Sequence, residues 1–220
     1  MCTAFPLGAF PAPGPTKDQT MTTSSNSRQA DYPIDTRFLD RWSPRAFTQE
    51  TMSEADLLTI LEAGRWAPSA FNSQPWRFIY ALRGTPEWET VFPILNDFNQ
   101  SWAKTASALL LIVSKTHFTA PGSTESKPSY SHSFDAGSAW SAIAHQAELL
   151  GFQAHGMTGI HFDKAADVFG IPEGYRVEAG VAIGRVGDKS VLPDYLQGRE
   201  TPSPRRPLSE LAFNGTFKAD

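Results

Sequence analysis

The sequence predicts an α+β fold in which a mixed sheet carries helices on both faces. Segments with helical periodicity alternate along the chain with short apolar segments typical of strands, and this interleaved order favours a layered domain. The run 108–114 is continuously apolar, as expected for a strand covered on both faces. The longest helical pattern, 134–150, has small apolar residues at spacings of three and four, which suits close packing in the centre of the molecule.

The first half of the organised chain contains four predicted helices and two predicted strands. A helix ends before Ser43-Pro44, since proline disfavours helical backbone in the residue before it. Ser53-Glu54-Ala55-Asp56 has the form of a capping box and predicts the start of the next helix, which Pro68 stops. The predicted helices span 34–41, 54–66, 86–95 and 98–105, and the strands span 78–82 and 108–114.

The second half begins with a predicted loop at 119–131, which is rich in Ser, Pro and Gly. The helix at 134–150 follows and ends at Gly151. A short strand is expected at 153–157, a helix capped by Asp163 at 163–169, and a strand at 177–183. The segment 190–220 has little periodicity of its own, and we expect it to pack on something else.

Composition limits the remaining organisation and the partners. The 220 residues suit one domain, for which we assign 31–220, and residues 1–30 are predicted to form a disordered tail because Pro, Gly, Ser and Thr dominate them. Met21 is an alternative start of translation. The net charge of −4 disfavours a nucleic-acid partner, and the lack of a long apolar run disfavours a membrane span. With one cysteine, Cys2, and no signal-peptide pattern, a cytoplasmic location is expected.

Several common chemistries have no sequence support. The chain has no phosphate loop of the G-x-x-x-x-G-K-[ST] type and no G-x-S-x-G elbow, and Gly180, Gly184 and Gly187 are interpreted as turn glycines. The five histidines lack a ligand spacing, so no metal site is predicted. Asp135 and Glu148 lie 13 residues apart on one helix and do not form a local catalytic pair.

Two segments carry stronger signals. Arg41-Trp42-Ser43-Pro44-Arg45 combines two guanidinium groups with a hydroxyl, a donor set that suits phosphate, although a solvated basic turn is the alternative. The segment 67–78 is a polar loop stiffened by Pro68 and Pro75, able to present amide groups to a flat heteroaromatic ring, with an ordinary polar connection as the alternative. Weaker signals come from Asn99 with Trp102, from Met157-Thr158-Gly159, and from Pro204-Arg205-Arg206-Pro207.

Taken in order, these motifs resemble a known family. R-x-S-x-R, then P-S-x-x-N-x-Q-P-W, the Asn99 segment, the F-D-A-G start of the long helix and the closing P-R-R-P-L resemble the nitroreductase-like FMN-dependent oxidoreductases over about residues 34–212. The resemblance implies an α+β fold built as an intertwined homodimer with FMN at the interface. It also implies that the C-terminal arm embraces the partner.

The resemblance assigns roles to individual residues. Arg41, Ser43, Arg45 and Arg205 would hold the FMN phosphate and ribityl chain, with Trp42 contributing backbone. Pro68, Ser69, Ala70 and Asn72 would approach the isoalloxazine ring from the partner subunit, and Asn99 would bind its pyrimidine edge. Met157, Thr158 and Gly159 would lie by the flavin face, and Trp102 stands where relatives often have a lysine. Phe71 and Trp102 would line the open substrate face, with core or interface packing as the alternative.

The implied activity is a ping-pong reaction in which NADH or NADPH passes hydride to flavin N5 and a small electron acceptor then takes its place. Nitroaromatics and quinones are the expected acceptors. Two alternatives stay open. One is a flavin-binding sensor or storage protein without turnover, and the other is a relative that dehalogenates its substrate or fragments the flavin.

Overall fold

A four-stranded antiparallel sheet forms the centre of the computed structural model, which describes residues 26–219. The strands lie in the order β1, β2, β6, β5, and a separate hairpin pairs β3 with β4. The strands are β1 (Trp76–Leu82), β2 (Ala108–Lys115), β3 (His117–Thr119), β4 (Ser126–Pro128), β5 (Gln153–Met157) and β6 (Tyr175–Gly184).

Seven α-helices and four short 3₁₀ turns accompany the strands within residues 26–219. The α-helices are α1 (Arg37–Asp40), α2 (Glu54–Arg65), α3 (Trp88–Val91), α4 (Asp97–Ala103), α5 (His132–Leu149), α6 (Phe162–Val168) and α7 (Asp194–Gln197). The α+β class is confirmed, and the expected helices and strands follow in the expected order, with β3, β4 and α7 in addition. The prediction of a mixed sheet is wrong for the described strands, because every pairing among them is antiparallel.

Helices cover both faces of the sheet, as predicted. Alternate residues of β2 explain this, since Leu109 and Leu111 pack with buried residues of α3 and α4, whereas Leu110 and Ile112 pack with residues of α2 and α5. All of β2 except Lys115 is buried. The sheet therefore separates two apolar clusters, and the small residues of α5 lie in the second one.

Several boundaries differ from the expected ones for local reasons. Ser53 caps α2 as predicted, with its Oγ accepting from Asp56 N at 3.0 Å. The helix expected at 86–95 is divided into α3 and a 3₁₀ turn, Phe92–Ile94, which contains Pro93. Asp163 does not cap α6, because His161 occupies the N-cap position. The loop expected at 119–131 contains β4, which pairs with β3.

The structure describes the N-terminal segment from residue 26 onward. Residues 1–25 of the predicted disordered tail, with Cys2 and the alternative start Met21, lie outside the described residues. Arg28, which belongs to the same predicted tail, donates hydrogen bonds to the carbonyl groups of Leu39 and Arg41. Across residues 26–219, none of the helices combines the length and apolar character needed to span a bilayer.

Candidate functional site

Two cavities open side by side at the loop that follows α1, and Arg41 and Ser43 line both. The smaller cavity has a volume of about 330 Å³ and is strongly cationic. The larger has a volume of about 590 Å³ and runs along α5. The R-x-S-x-R motif therefore lies where an anionic group and a larger apolar group could be held in one molecule.

Five arginines line the smaller cavity. Arg41, Arg45 and Arg205 are predicted from the sequence, whereas Arg28 and Arg199 are not. The other lining residues are Trp42, Ser43, His155, Thr201 and Ser203. Burial lowers the pKa of Arg41, and repulsion from Arg205 lowers it further. Burial also lowers the pKa of Arg45, while the Glu200 carboxylate raises it and Arg199 lowers it by a smaller amount. Mutual repulsion of this kind favours a bound anion, since an anion would offset it.

The Glu200 carboxylate fixes the backbone at Arg45, beside this cavity. Glu200 Oε1 accepts hydrogen bonds from the backbone N–H groups of Arg45 and Ala46 at 2.6 and 2.8 Å. Within the described residues, Arg45 Nε is buried and has no hydrogen-bond partner. A buried guanidinium donor without a partner is costly, so this atom is available to an anionic ligand.

His155, on β5, holds the backbone at Pro44 in the R-x-S-x-R motif. Its Nδ1 lies 2.9 Å from the carbonyl oxygen of Pro44, and its ring packs on Trp102 at 4.6 Å between centroids. Burial lowers the pKa of His155 to about 4, while the bond to Pro44 acts in the opposite direction. The imidazole is therefore neutral near pH 7, with Nδ1–H as the donor to Pro44.

The larger cavity lies between α5 and the edge strand β5. Trp140 of α5 packs against Gly156, where an added Cβ would lie 3.0 Å from the indole ring. The predicted residues Met157 and Thr158 line this cavity, and Gly159 follows directly. Its full lining is Arg41, Ser43, Ile112, Ser133, Ala136, Gly137, Trp140, Ser141, Ala144, His145, Gly156, Met157, Thr158, Glu178 and Ala179.

A polar cluster at one wall of this cavity was not anticipated. Glu178 Oε1 accepts hydrogen bonds from Ser114 Oγ at 2.6 Å and Ser133 Oγ at 2.9 Å, and it lies 3.3 Å from His132 Nδ1. The β2–β6 register shifts beside Glu178, which is the extra residue of a β-bulge. A charged residue within a mainly apolar strand does not reveal a bulge, so the sequence offered no signal for the cluster.

The stiffened loop at 67–75 does not line either cavity of its own chain. Its residues Phe71, Asn72 and Gln74 have positive φ angles of 52°, 53° and 47°, which are unusual outside glycine. Ala70 N donates to the buried Asp135 of α5 at 3.2 Å. Pro68, Ser69, Ala70, Phe71 and Asn72 line neither cavity. This arrangement is compatible with the expectation that the loop serves a partner subunit's site.

Asn99 and Trp102 lie in the core. Trp102 is 1% exposed, and its Nε1 donates to Asn99 Oδ1 at 3.2 Å. Asn99 Nδ2 in turn donates to the Gly159 carbonyl group at 2.9 Å. The expectation that Trp102 lines an open face is therefore corrected to core packing. Asn99 uses its amide to hold the loop at Gly159 and lines neither cavity. The motif could not predict this, because it carries no information on burial.

Phe71 is highly exposed, as a substrate-facing residue would be, but its ring stacks on Phe118 of β3 at 5.4 Å between centroids. Within residues 26–219, no group of three or more His, Cys, Asp or Glu side chains is arranged to hold a metal ion.

The chain thus combines an α+β fold with a cavity lined by five arginines and a larger, partly apolar cavity beside it. Residues 39–87 match the model of the Nitroreductase family. A solved structure described as an oxidoreductase containing FMN is 53% identical, with a TM-score of 0.86, over 90% of this chain and 100% of that one. An uncharacterised 15.4 kDa protein of Mycolicibacterium smegmatis is 32% identical over 64% of this chain and 97% of its own length. The major NAD(P)H-flavin oxidoreductase of Aliivibrio fischeri is 30% identical over 40% of this chain and 42% of its own length. The chain belongs to the nitroreductase family.

Proposed function

We propose that this protein is an FMN-dependent NAD(P)H oxidoreductase that reduces a small acceptor such as a nitroaromatic compound or a quinone. The observation that carries the proposal is the convergence of Arg41, Arg45 and Arg205 on one cavity that adjoins a larger, partly apolar one. The similarity to a structure described as containing FMN and to an enzyme named NAD(P)H-flavin oxidoreductase supports it.

The residues of the smaller cavity fit the phosphate group of FMN. The unpartnered, buried Nε of Arg45 and the mutually repelling guanidinium groups both favour a compact anion. Ser43 adds a neutral donor in the same cavity. The larger cavity, at about 590 Å³, lies within the range of about 300–1,000 Å³ typical of cofactor and ligand sites, and Trp140 and Met157 give it apolar walls.

When bound, FMN supplies the hydride chemistry that the side chains themselves lack. Arg41, Ser43, Arg45 and Arg205 would hold its phosphate group, and Met157, Thr158 and Gly159 would lie beside its ring. The hydrogen bond from Asn99 Nδ2 to Gly159 fixes the backbone of this segment. The role of the protein would be to bind and orient the flavin, so that the nicotinamide donor and the acceptor use the same open face of the ring in turn.

The site is completed by a homodimer. The loop at 67–75 carries the predicted ligands Pro68, Ser69, Ala70 and Asn72 but lines neither cavity of its own chain. The exposed aromatic residues Phe71 and Phe134 are the chain neighbours of Ala70 and Asp135, which are joined by a hydrogen bond at the start of α5, and exposed apolar patches are typical of interaction surfaces. A second copy would cover them and bring its own loop to the ring.

The deciding experiment is anaerobic reduction of the purified protein. We expect a flavin spectrum that bleaches on addition of NADH or NADPH and recovers on addition of a nitroaromatic compound or a quinone. Bound flavin that neither nicotinamide reduces would contradict the reductase assignment and favour a sensor or storage protein. A chain that neither contains nor takes up FMN would refute the cofactor assignment.

A further inference from the structure

Arg28 joins three segments of the chain through one guanidinium group. Its Nε donates to the Ser203 carbonyl group at 2.8 Å, and its Nη1 donates to those of Leu39 and Arg41 at 2.9 and 2.8 Å. Leu39 and Arg41 lie at the C-terminal end of α1, where carbonyl groups lack partners within the helix and a cation is favoured. Ser203 belongs to the C-terminal arm, two residues before Arg205.

The same guanidinium group faces the cationic cavity. Arg28 lines it together with Arg41 and Arg205. Burial lowers the pKa of Arg28, and repulsion from Arg205 and then Arg41 lowers it further, whereas Asp40 acts in the opposite direction. Within residues 26–219, Nη2 of Arg28 makes no hydrogen bond, since its three bonds use Nε and Nη1 only. The charged Nη2 group of Arg28 can therefore donate to an anion beside the guanidinium groups of Arg41 and Arg205.

A second contact joins the N-terminal segment to the arm. Leu208 N donates to Asp31 Oδ2 at 2.6 Å. Together with the Arg28–Ser203 contact, it holds the arm on both sides of Arg205. The position of Arg205 in the cavity therefore depends on residues that precede the segment matched by the family model, 39–87.

We infer that Arg28 is a further phosphate-binding residue of the cofactor site and that it positions the arm that carries Arg205. The inference rests on the proposed function, because the ligand is the phosphomonoester group of FMN. It makes the N-terminal segment part of the binding site rather than a tail without a role.

The test compares FMN with riboflavin, which has the same ring system but no phosphate. Both flavins are titrated into flavin-free full-length protein by fluorescence quenching or calorimetry. We expect Arg28→Gln to weaken FMN binding by about 10- to 100-fold, the loss typical of a charge-assisted hydrogen bond, and to change riboflavin affinity less than about threefold. Arg28→Lys should give an intermediate loss, since it keeps the charge but not the forked geometry.

Arg37→Gln is the matched control. Arg37 is exposed, forms its ion pair with Asp35, and does not line the cavity, so its substitution should leave both affinities unchanged. Unchanged FMN binding in Arg28→Gln, or an equal loss for FMN and riboflavin, would overturn the inference. If Arg28→Gln fails to fold, as judged by circular dichroism, the FMN-to-riboflavin ratio in Arg28→Lys decides.

Failure of the proposed function gives a different result. Wild-type protein that does not bind FMN would refute the proposed function without testing Arg28. Inorganic phosphate is then the probe, because it should raise the unfolding temperature of wild-type protein more than that of Arg28→Gln if Arg28 binds phosphate. Equal protection of the two proteins would overturn the role of Arg28.

Discussion

His155 links the stability of the fold to pH. Its pKa is lowered from 6.5 to about 4, mainly by burial, so the unfolded chain binds more protons than the folded chain between these pH values. Stability that is present above pH 6.5 should therefore be lost as the pH falls towards 4, by up to about 3 kcal/mol. Urea unfolding at a series of pH values measures this loss.

The control for this prediction is a pair of glutamine variants. His155→Gln removes the titrating group and should flatten the dependence of unfolding free energy on pH over that window. His161→Gln alters an exposed histidine and should keep the wild-type dependence. Equal slopes in His155→Gln and wild-type protein would show that other groups cause the acid sensitivity.

Gly159 is required by a close approach of side chains. An added Cβ would lie 2.5 Å from Asn99 Nδ2 and 2.9 Å from Asn96 Nδ2, so Gly159→Ala must displace the amide that holds this backbone. We expect a loss of about 1–3 kcal/mol in unfolding free energy, together with weaker FMN retention. Gly198→Ala is the control, since Gly198 has αR backbone and no atom within 4 Å of an added Cβ. Wild-type stability in Gly159→Ala would contradict the steric argument.

The secondary structure elements show what the sequence could and could not predict. β2 was predictable because a run of apolar residues has few alternatives to a buried strand. α2 was predictable because Ser53 can cap the first turn of a helix with its hydroxyl group. β4 was not, because three exposed residues, Ser126–Pro128, have no apolar pattern. Strand direction was also inaccessible, since it depends on how the chain returns to the sheet and not on local residues.

The residues of the candidate site were likewise predicted only in part from the sequence. Arg41, Ser43, Arg45 and Arg205 were found because guanidinium and hydroxyl groups at short spacing form a recognisable donor set. Arg28 was missed because its neighbours have the composition of a disordered segment. Trp102 was placed at an open face, and Asn99 at the pyrimidine edge of the flavin, although both are buried, because the motif carries no information on burial.

The bulge in β6 should matter for stability. The side chain of Glu178 is 14% exposed and accepts bonds from Ser114 and Ser133, so Glu178→Ala would leave both hydroxyl groups without this partner. We expect a loss of about 1–3 kcal/mol in unfolding free energy, measured by denaturant titration. Glu173→Ala removes an exposed carboxyl group just before the same strand and should change stability by less than about 0.5 kcal/mol. Equal effects of the two substitutions would mean that the cluster adds no stability.

The whole molecule presents an apolar surface that the single chain does not cover. Phe134 at the start of α5 is 81% exposed, and Phe71 on the loop bound to Asp135 is 71% exposed. The same end of α5 carries Ser133, which lines the larger cavity. Association through this surface would therefore cover the aromatic rings and close the cavity in one event, so assembly and cofactor binding should be coupled.

Phe134→Glu tests this coupling. A carboxylate in place of an aromatic ring at an apolar interface is costly to bury, so the variant should shift from twice the 24.1 kDa chain mass towards the chain mass, as measured by light scattering after gel filtration. FMN should dissociate more readily from the variant at equal protein concentration. Phe162→Glu, on the α6 side of the sheet away from α5, should keep the wild-type mass and FMN content. A wild-type protein that has the mass of one chain and still retains FMN would show that one chain suffices for cofactor binding. The loop at 67–75 would then have no site in a second chain to complete, and the coupling would be refuted.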